Sequence, residues 1–167
     1  ETLADVRVVA FDKTGTLTNG KPHLTDVLSL NGQSREEILK ISAALETRSQ
    51  HPIAGAILEN AQGLDLPAVT NFRSITGKGV LATIDDKNYA LGKPELFDSE
   101  MPATVVEFQQ QGKTAVVVGE ESEAIGILAF ADTPRNGADQ AIRRLHDLGV
   151  ERIVMLTGDN ATTAGRI

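Results

Sequence analysis

A short strand leading into an acidic turn is predicted near each end of this 167-residue chain. The first is the apolar run 6–11, which ends at Asp12 and a Gly/Thr-rich turn. The second is the run 152–156, which leads into Thr157-Gly158-Asp159. Both runs are short and aliphatic, which is typical of buried strands. Because ligands in open α/β sheets bind at the carboxyl ends of the strands, we expect a ligand site at Asp12.

Between these two strands the pattern changes to α+β. Ser34 and Glu37 form a capping-box signature before a helix that is predicted to reach Thr47, and Pro52 is well placed to begin a second helix. The two helices would form a hairpin with His51 at its junction. The other predicted elements are strands at 23–30, 72–76, 80–84, 89–91, 114–118 and 124–130 and a helix at 103–111.

The boundaries of this middle region follow from turn signals. Residues 19–22, Asn-Gly-Lys-Pro, are predicted to form a turn that acts as a hinge. Asp132-Thr133-Pro134-Arg135 is predicted to open a helix that ends at Gly149. The sequence therefore predicts an α/β domain with a parallel sheet, made of residues 1–22 and 131–167. An α+β domain with an antiparallel sheet and a helical hairpin, residues 23–130, is inserted between the two parts.

Composition excludes several classes of function. The hydrophobic content of 41% is sufficient for an aliphatic core, and the absence of cysteine excludes disulfides and thiolate metal sites within this sequence. The net charge of −7 argues against nucleic acid as a main partner, because no basic footprint is present. No run approaches the ~20 apolar residues that a membrane-spanning helix needs.

The chemistry of Asp12 suits phosphoryl transfer. A carboxylate can attack phosphorus and form an aspartyl-phosphate, which divides one difficult step into two. The Asp12 carboxylate and the backbone carbonyl of Thr14 are hard oxygen donors of the kind that Mg²⁺ prefers. The alternative interpretation is that Asp12 is a strand-ending residue in a capped turn.

The motif Asp12-Lys13-Thr14-Gly15-Thr16-Leu17-Thr18 resembles the phosphorylation signature of P-type ATPases, within the haloacid-dehalogenase superfamily. Thr157-Gly158-Asp159 resembles the second motif of that phosphorylation domain, and Asp132-Thr133-Pro134-Arg135 resembles its hinge motif. The resemblance implies a haloacid-dehalogenase-like parallel sheet, incomplete here, that carries an inserted nucleotide-binding domain.

The resemblance assigns roles around the phosphate. It implies that Asp12 is the nucleophile and binds Mg²⁺ together with the Thr14 carbonyl, and that Lys13 adds positive charge nearby. Thr157 would donate a hydrogen bond to the phosphoryl oxygens, and Gly158 and Asp159 would lie near the Mg²⁺–phosphate region. A solvated surface position is the alternative for Lys13.

The second acid of the superfamily's phosphatases stands two residues after the nucleophile, where this chain has Thr14. Without that general acid/base, hydrolysis of the aspartyl-phosphate should be slow, as a transport pump requires. A soluble phosphatase of the same superfamily is the first alternative. A non-catalytic ATP-binding module is the second.

The inserted domain carries a second set of family-like positions. Ser49-Gln50-His51-Pro52 resembles the His-Pro signature of the heavy-metal (type IB) branch, in which the histidine orients the adenine of ATP. Glu46 matches the acidic residue of that adenine site, and Gly77-Lys78-Gly79 resembles the branch's G-x-G. Gly92 matches a later family glycine near the nucleotide, and the resemblance implies that Asp132 lies near the nucleotide phosphate or ribose. The family often has another residue at Lys93, so no role is assigned to it.

Each of these positions also has a structural alternative. His51 can be a helix-junction residue, Gly77 and Gly79 can form a tight turn or bulge, and Asp132 can belong to a salt bridge or a helix cap.

The resemblance further implies a larger parent protein. That parent would be an integral membrane exporter of heavy-metal cations, and this segment would lie at the cytoplasmic face of the membrane. Its partners would be ATP, the metal cation, the membrane helices, an actuator domain and the rest of the phosphorylation domain. The family's later G-D-G-x-N-D segment is not found in the sequence, so an isolated piece is expected to have little activity. The run 46–52 is more similar to zinc, cadmium and cobalt members than to copper members.

Overall fold

The computed structural model describes residues 6–98 and 100–156, and it describes Lys13, Thr14 and Leu156 by backbone alone. The strands are β1 (Val8–Asp12), β2 (Thr18–Ser29), β3 (Thr70–Ile75), β4 (Gly79–Ile84), β5 (Lys87–Gly92), β6 (Thr114–Glu120), β7 (Glu123–Pro134) and β8 (Arg152–Leu156). The α-helices are α1 (Arg35–Glu46), α2 (Pro52–Asn60), α3 (Ala103–Gln110) and α4 (Ala138–Asp147). A π-helical turn covers Lys13–Leu17, and a short 3₁₀ turn covers Pro94–Leu96.

The strands form two sheets, as the sequence predicts. β1 and β8 pair in parallel, with Asp12 opposite Leu156, so the carboxyl ends of both strands lie side by side. The other six strands form an antiparallel sheet in the order β2-β7-β6-β5-β4-β3. The predicted fold class, a parallel α/β part with an inserted antiparallel α+β part, is confirmed.

Helices cover both faces of the antiparallel sheet, and β6 shows why. Val116 and Val118 pack into the core cluster that contains α1 and α2, whereas Ala115 and Val117 pack with Val105 of α3. Because successive side chains of a strand point to opposite faces, the uninterrupted apolar run of β6 reflects burial on both sides. The larger core lies on the side of α1 and α2.

The helical hairpin forms for the local reasons that the sequence indicates. The Glu37 N–H donates to Ser34 Oγ at 3.1 Å, and the Ser34 N–H donates to Glu37 Oε2 at 2.7 Å, which completes the capping box of α1. Pro52 occupies the first turn of α2, where its missing N–H leaves no hydrogen bond unmade. The predicted hairpin is confirmed.

Two predictions of local secondary structure are wrong. Residues 19–22 do not form a separate turn but lie within β2, where the pairing with β7 shifts between Thr18 and Pro22. Gly20 adopts φ +68° there, so the strand absorbs extra residues as a bulge and continues. Asp132 does not open a helix: β7 continues to Pro134, and α4 begins only at Ala138, after Gly137 at φ +86°.

The prediction that β1 and β8 are buried strands is also wrong for the described residues. The side chains of β1 alternate between exposed and half-buried, and Val8 is 56% exposed. Among the described residues this sheet has two strands, and α4 contributes no buried side chain to cover it. An aliphatic strand is buried only where other layers pack on it, and the described layers pack on the antiparallel sheet.

No helix within residues 6–98 and 100–156 is long and apolar enough to cross a bilayer.

Candidate functional site

Asp12 lies at the carboxyl end of β1, and its side chain is exposed. The π-helical turn that follows contains Gly15 at φ +79°, a backbone conformation that glycine adopts without strain. The structure places the backbones of Lys13 and Thr14 in this turn. The strand β8 ends beside Asp12, but Thr157, Gly158 and Asp159 lie outside the described residues. The parallel pairing therefore supports the predicted meeting of the two motifs up to Leu156.

The turn after Asp12 is tied to the segment 132–135 by hydrogen bonds that we call the clasp. The hydroxyl of Thr18, which is fully buried, donates to Asp132 Oδ2 at 2.5 Å. The guanidinium of Arg135 donates to the Gly15 carbonyl at 2.7 Å, and the Arg135 N–H donates to the Leu17 carbonyl at 2.8 Å. The Gly15 N–H contacts Thr18 Oγ1 at 3.4 Å. The clasp thus holds the loop that carries Asp12 against the ends of β2 and β7.

A cavity of about 440 Å³ lies where the α1–α2 junction, the β3–β4 turn and the end of β5 meet the ends of β2 and β7. The six residues that the sequence assigns to ATP all line it: Glu46, His51, Gly77, Gly79, Gly92 and Asp132. Its apolar wall is made by Ile53, Ile75, Val80, Leu91 and Val116. An apolar cleft of this size with a few convergent polar groups is the usual form of a small-molecule site.

Glu46 is a buried carboxylate in the wall of this cavity. Glu46 is 6% exposed, and its Oε2 has no hydrogen-bond partner among the described residues. Burial raises the pKa of Glu46, and this effect exceeds the opposing influence of the Ser49 hydroxyl and the His51 ring. A buried polar atom without a protein partner at a cavity wall is available to a ligand.

Asp132 provides a second free carboxylate oxygen. While its Oδ2 accepts from Thr18, its Oδ1 is buried and without a partner within the described part of the chain. One residue therefore belongs both to the clasp and to the cavity wall. Neither predicted alternative for Asp132, a salt bridge or a helix cap, matches this arrangement, because Asp132 lies within β7 and accepts a hydrogen bond from a hydroxyl.

His51 caps the N-terminus of α2. Its Nδ1 accepts from the Ile53 backbone N–H at 3.2 Å, and the His51 backbone N–H donates to Ser49 Oγ at 3.2 Å. When the ring is neutral, Nδ1 as the acceptor leaves the proton on Nε2, so Nε2 is a donor. The helix-junction interpretation of His51 is therefore confirmed, and His51 also lines the cavity.

The three cavity glycines are required for different structural reasons. A Cβ on Gly79 would collide with the carbonyl of Leu91, and one on Gly92 would collide with the carbonyl of Lys78. The two glycines are directly paired in the β4–β5 ladder, where the backbones approach closely. Gly77, at φ +73°, has open space where its Cβ would be. Close packing of two strands therefore accounts for Gly79 and Gly92, and turn geometry accounts for Gly77.

Several cavity residues were missed by sequence reasoning. Thr18, which belongs to the clasp and not to the cavity lining, was missed as well, although it is the last residue of the phosphorylation-like motif. Lys78 stands between the two predicted glycines, and Lys93 directly follows the third. Gly20, Pro22, Ser49 and Pro52 belong to the predicted turn and the His-Pro signature without having been assigned to the cavity, and no sequence signal marks Ser74 and Thr114.

The donors of the site fit a nucleotide more completely than a metal ion. Two unpartnered carboxylate oxygens and an apolar wall match the amine and the flat face of a base. For Mg²⁺, the described donors are the exposed Asp12 carboxylate and the Thr14 carbonyl, and the described residues hold no cluster of three His, Cys, Asp or Glu. Two oxygens match the small number of protein ligands that Mg²⁺ takes when a phosphate supplies others.

A larger cavity of about 550 Å³ lies on the opposite face of β3, β4 and β5, lined by residues that include Arg73, Leu81 and Glu121. None of the predicted site residues lines it, and neither unpartnered buried carboxylate reaches it. We therefore place the candidate site in the smaller cavity.

Comparison with known proteins identifies the family of this chain. The family described as haloacid dehalogenase-like hydrolase matches residues 6–167. A probable cadmium-transporting ATPase of Alkalihalophilus pseudofirmus is 41% identical over 180 residues, which covers 100% of this chain and 25% of the relative. The chain thus spans about a quarter of the length of the curated relatives that it matches.

Two solved structures have the same fold. A zinc-transporting PIB-type ATPase in its E2.Pi state matches with a TM-score of 0.71 and 37% identity, covering 98% of this chain and 27% of that one. The catalytic domain of the CPx-ATPase CopB-B, from a study of conformational changes upon nucleotide binding, matches with a TM-score of 0.68 and 29% identity, covering 93% and 55%. The chain belongs to the haloacid dehalogenase-like hydrolases, and within them to the heavy-metal P-type ATPases.

Proposed function

We propose that this chain is the ATP-binding and phosphorylation region of a heavy-metal-transporting P-type ATPase, in which ATP bound in the inserted domain phosphorylates Asp12. The observation that carries the proposal is the cavity: six residues chosen from the sequence, spread from Glu46 to Asp132, line one space. The similarity to cadmium- and zinc-transporting pumps supports the same conclusion.

In the proposed binding mode the base of ATP lies against the apolar wall beside His51 and Glu46. The Nε2–H of His51 donates to a ring nitrogen, and Glu46 accepts from an amine, which satisfies its free Oε2. Burial in the cavity removes competing water and strengthens both hydrogen bonds.

In the proposed reaction an Asp12 carboxylate oxygen attacks the terminal phosphorus of ATP. The new oxygen–phosphorus bond forms as the bond to the bridging oxygen breaks, and ADP leaves with that electron pair. Mg²⁺, held by the Asp12 carboxylate and the Thr14 carbonyl, would neutralise charge on the phosphate oxygens. Lys13, Thr157, Gly158 and Asp159 keep their proposed roles around the phosphate.

We propose the domain boundaries that the sequence predicts: 1–22 and 131–167 for the phosphorylation domain and 23–130 for the nucleotide-binding domain. Both crossings then fall within the continuous strands β2 and β7, next to the clasp. Closure about these strands would bring ATP to Asp12. The parent pump, its location in a membrane with this region on the cytoplasmic side, its other domains and its transported cation belong to the same proposal. The similarity to cadmium- and zinc-transporting pumps favours one of these two cations.

An ATP titration of the chain and of its His51→Gln variant tests nucleotide binding. We expect the variant to bind ATP about tenfold more weakly, the loss of one good hydrogen bond to a base. Gln50→Ala is the matched control, because Gln50 is the exposed neighbour that does not line the cavity. Calorimetry gives both affinities.

ATP binding, phosphorylation of Asp12 and hydrolysis of phosphate esters together separate the alternatives. Binding of ATP without any phosphorylation of Asp12 in the full pump would favour a non-catalytic nucleotide module. Hydrolysis of small phosphate esters by this chain without an ATP requirement would favour a soluble phosphatase. Equal ATP affinity of wild type and His51→Gln would contradict the proposed site.

A further inference from the structure

Two lysines lie side by side at the glycine-rich end of the cavity. Lys78 occupies the turn between β3 and β4, and Lys93 directly follows β5. The Lys93 N–H donates to the Lys78 carbonyl at 2.8 Å, so the pairing of β4 with β5 holds the two backbones together. The fold therefore places two positive charges at one rim of the proposed nucleotide site.

These two ammonium groups have no acidic partner in the described part of the chain. The ion pairs found there engage Arg7, Lys40, Lys87, Lys113 and Arg143. Other described basic residues, such as Lys21 and Arg48, also have no ion pair, and Lys78 and Lys93 differ from them because they line the cavity. Two adjacent like charges repel each other, and an anion placed between them removes that cost.

The rest of the cavity indicates which anion fits. The apolar wall and the two free carboxylate oxygens suit a neutral base and disfavour a bare anion such as free phosphate. Close to the lysines, Gly77 has open space where a side chain would stand, and Gly79 and Gly92 line the cavity beside it. A ligand that combines a neutral base with a chain of negative charges would match both ends of the cavity.

We propose that Lys78 and Lys93 form a phosphate clamp that binds the polyphosphate of the nucleotide and selects a triphosphate over its nucleoside. The proposal rests on the proposed ATP site and adds two residues to it. Lysine suits this role because its ammonium is a compact charge with three donors, which tolerates the many orientations of a flexible phosphate chain.

The test compares ATP and adenosine as ligands of the 167-residue chain. We expect Lys78→Met and Lys93→Met each to weaken ATP binding about fivefold, and the double variant about 20-fold, as for partly screened charge pairs. Adenosine affinity should stay unchanged in all three variants. The control is Lys87→Met at the far end of β5, where the lysine pairs with Glu120.

Two further measurements keep the result interpretable. The Lys78→Arg/Lys93→Arg variant retains both charges and should keep ATP affinity within about threefold of wild type, because arginine also binds phosphate well. Added salt should weaken ATP binding to the wild type more than to the double methionine variant, since ions screen the exposed charges. Thermal unfolding confirms that each variant is folded.

The possible failures are distinct. If ATP affinity is unchanged in the double methionine variant, or if adenosine affinity falls by the same factor, the clamp is refuted while the nucleotide site stands. If the wild-type chain binds neither ATP nor adenosine, the proposed function itself fails, and the clamp fails with it.

Discussion

At the scale of single residues, Glu46 stands out because its burial works against folding. Its side chain is 6% exposed and one of its oxygens lacks a described partner. A buried carboxylate of this kind costs free energy when it is ionised, and such a cost is usually retained for function. In the proposed binding mode, that function is to accept a hydrogen bond from the amine of the ATP base.

Glu46→Gln should therefore stabilise the chain at neutral pH. Burial raises the pKa of Glu46 above its ordinary value of 4.5. Below pH 4.5 Glu46 is protonated in both the folded and the unfolded chain. The folded chain then carries no buried charge at this position, and the stability that the neutral carboxyl provides is fully present. As pH rises through the folded-state pKa, the unfolded glutamate is ionised at no cost, and that contribution is lost. We expect the variant's Tm to exceed that of the wild type by about 2–4 °C at pH 7 and to match it near pH 4.

Calorimetric melts from pH 4 to pH 8 measure this difference. Glu59→Gln, on the exposed side of α2, is the control and should leave Tm unchanged at each pH. A Tm difference for Glu46→Gln that is the same at pH 4 and pH 7 would mean that the charge of Glu46 is not the cause.

At the scale of elements, the clasp decides how β2 and β7 meet the loop that carries Asp12. Thr18 and Asp132 come from opposite strands of the pair, at the point where the bulge of β2 shifts the register. Arg135 adds two hydrogen bonds to the same loop. Since Asp132 also lines the cavity, the clasp is the direct contact between the phosphorylation-like loop and the proposed nucleotide site.

Thr18→Val should destabilise the chain by about 1–3 kcal/mol, because it preserves the shape of the side chain but leaves the buried Asp132 carboxylate without its donor. Urea unfolding monitored by circular dichroism measures the change. Thr18→Ser retains the hydroxyl and should lose much less stability. If valine and serine variants are equally stable, the hydroxyl contributes nothing, and the clasp would have to rest on Arg135.

At the scale of the whole molecule, the candidate site spans two sheets with different degrees of cover. The nucleotide cavity lies on a sheet packed by helices on both faces, whereas Asp12 ends a strand whose described neighbours leave it partly exposed. The chain enters the antiparallel sheet through β2, directly after the Asp12 turn, and leaves it through β7, which precedes α4 and β8. Transfer of phosphate between the two parts would therefore depend on the strands that carry the clasp.

Phosphorylation of Asp12 is the prediction that belongs to this scale. In the longest polypeptide in which this sequence occurs, incubation with γ-labelled ATP should produce an acid-stable, hydroxylamine-labile label. Asp12→Asn should abolish it, because the amide is a poor nucleophile. His51→Gln should reduce the label at limiting ATP and recover at saturating ATP, since its effect is on binding. A label that persists in Asp12→Asn would place the nucleophile elsewhere.

Much of this arrangement was determined by local sequence. The capping box of Ser34 and Glu37, the proline that begins α2 and the aliphatic strands are recorded in neighbouring residues, and the structure confirms them. The choice of six cavity residues also came from short motifs. Local patterns succeed here because capping, turn geometry and strand alternation depend on contacts between residues close in the chain.

Other features required the tertiary structure. The exposure of β1, the continuation of β7 through Asp132, the bond from Thr18 to Asp132 and the meeting of Lys78 with Lys93 all depend on residues distant in sequence. The sequence by itself determined which chemical groups the chain carries and the secondary structure around most of them. Only the tertiary structure decided which groups share one cavity and which are buried without a partner, because burial and distance arise from packing between elements.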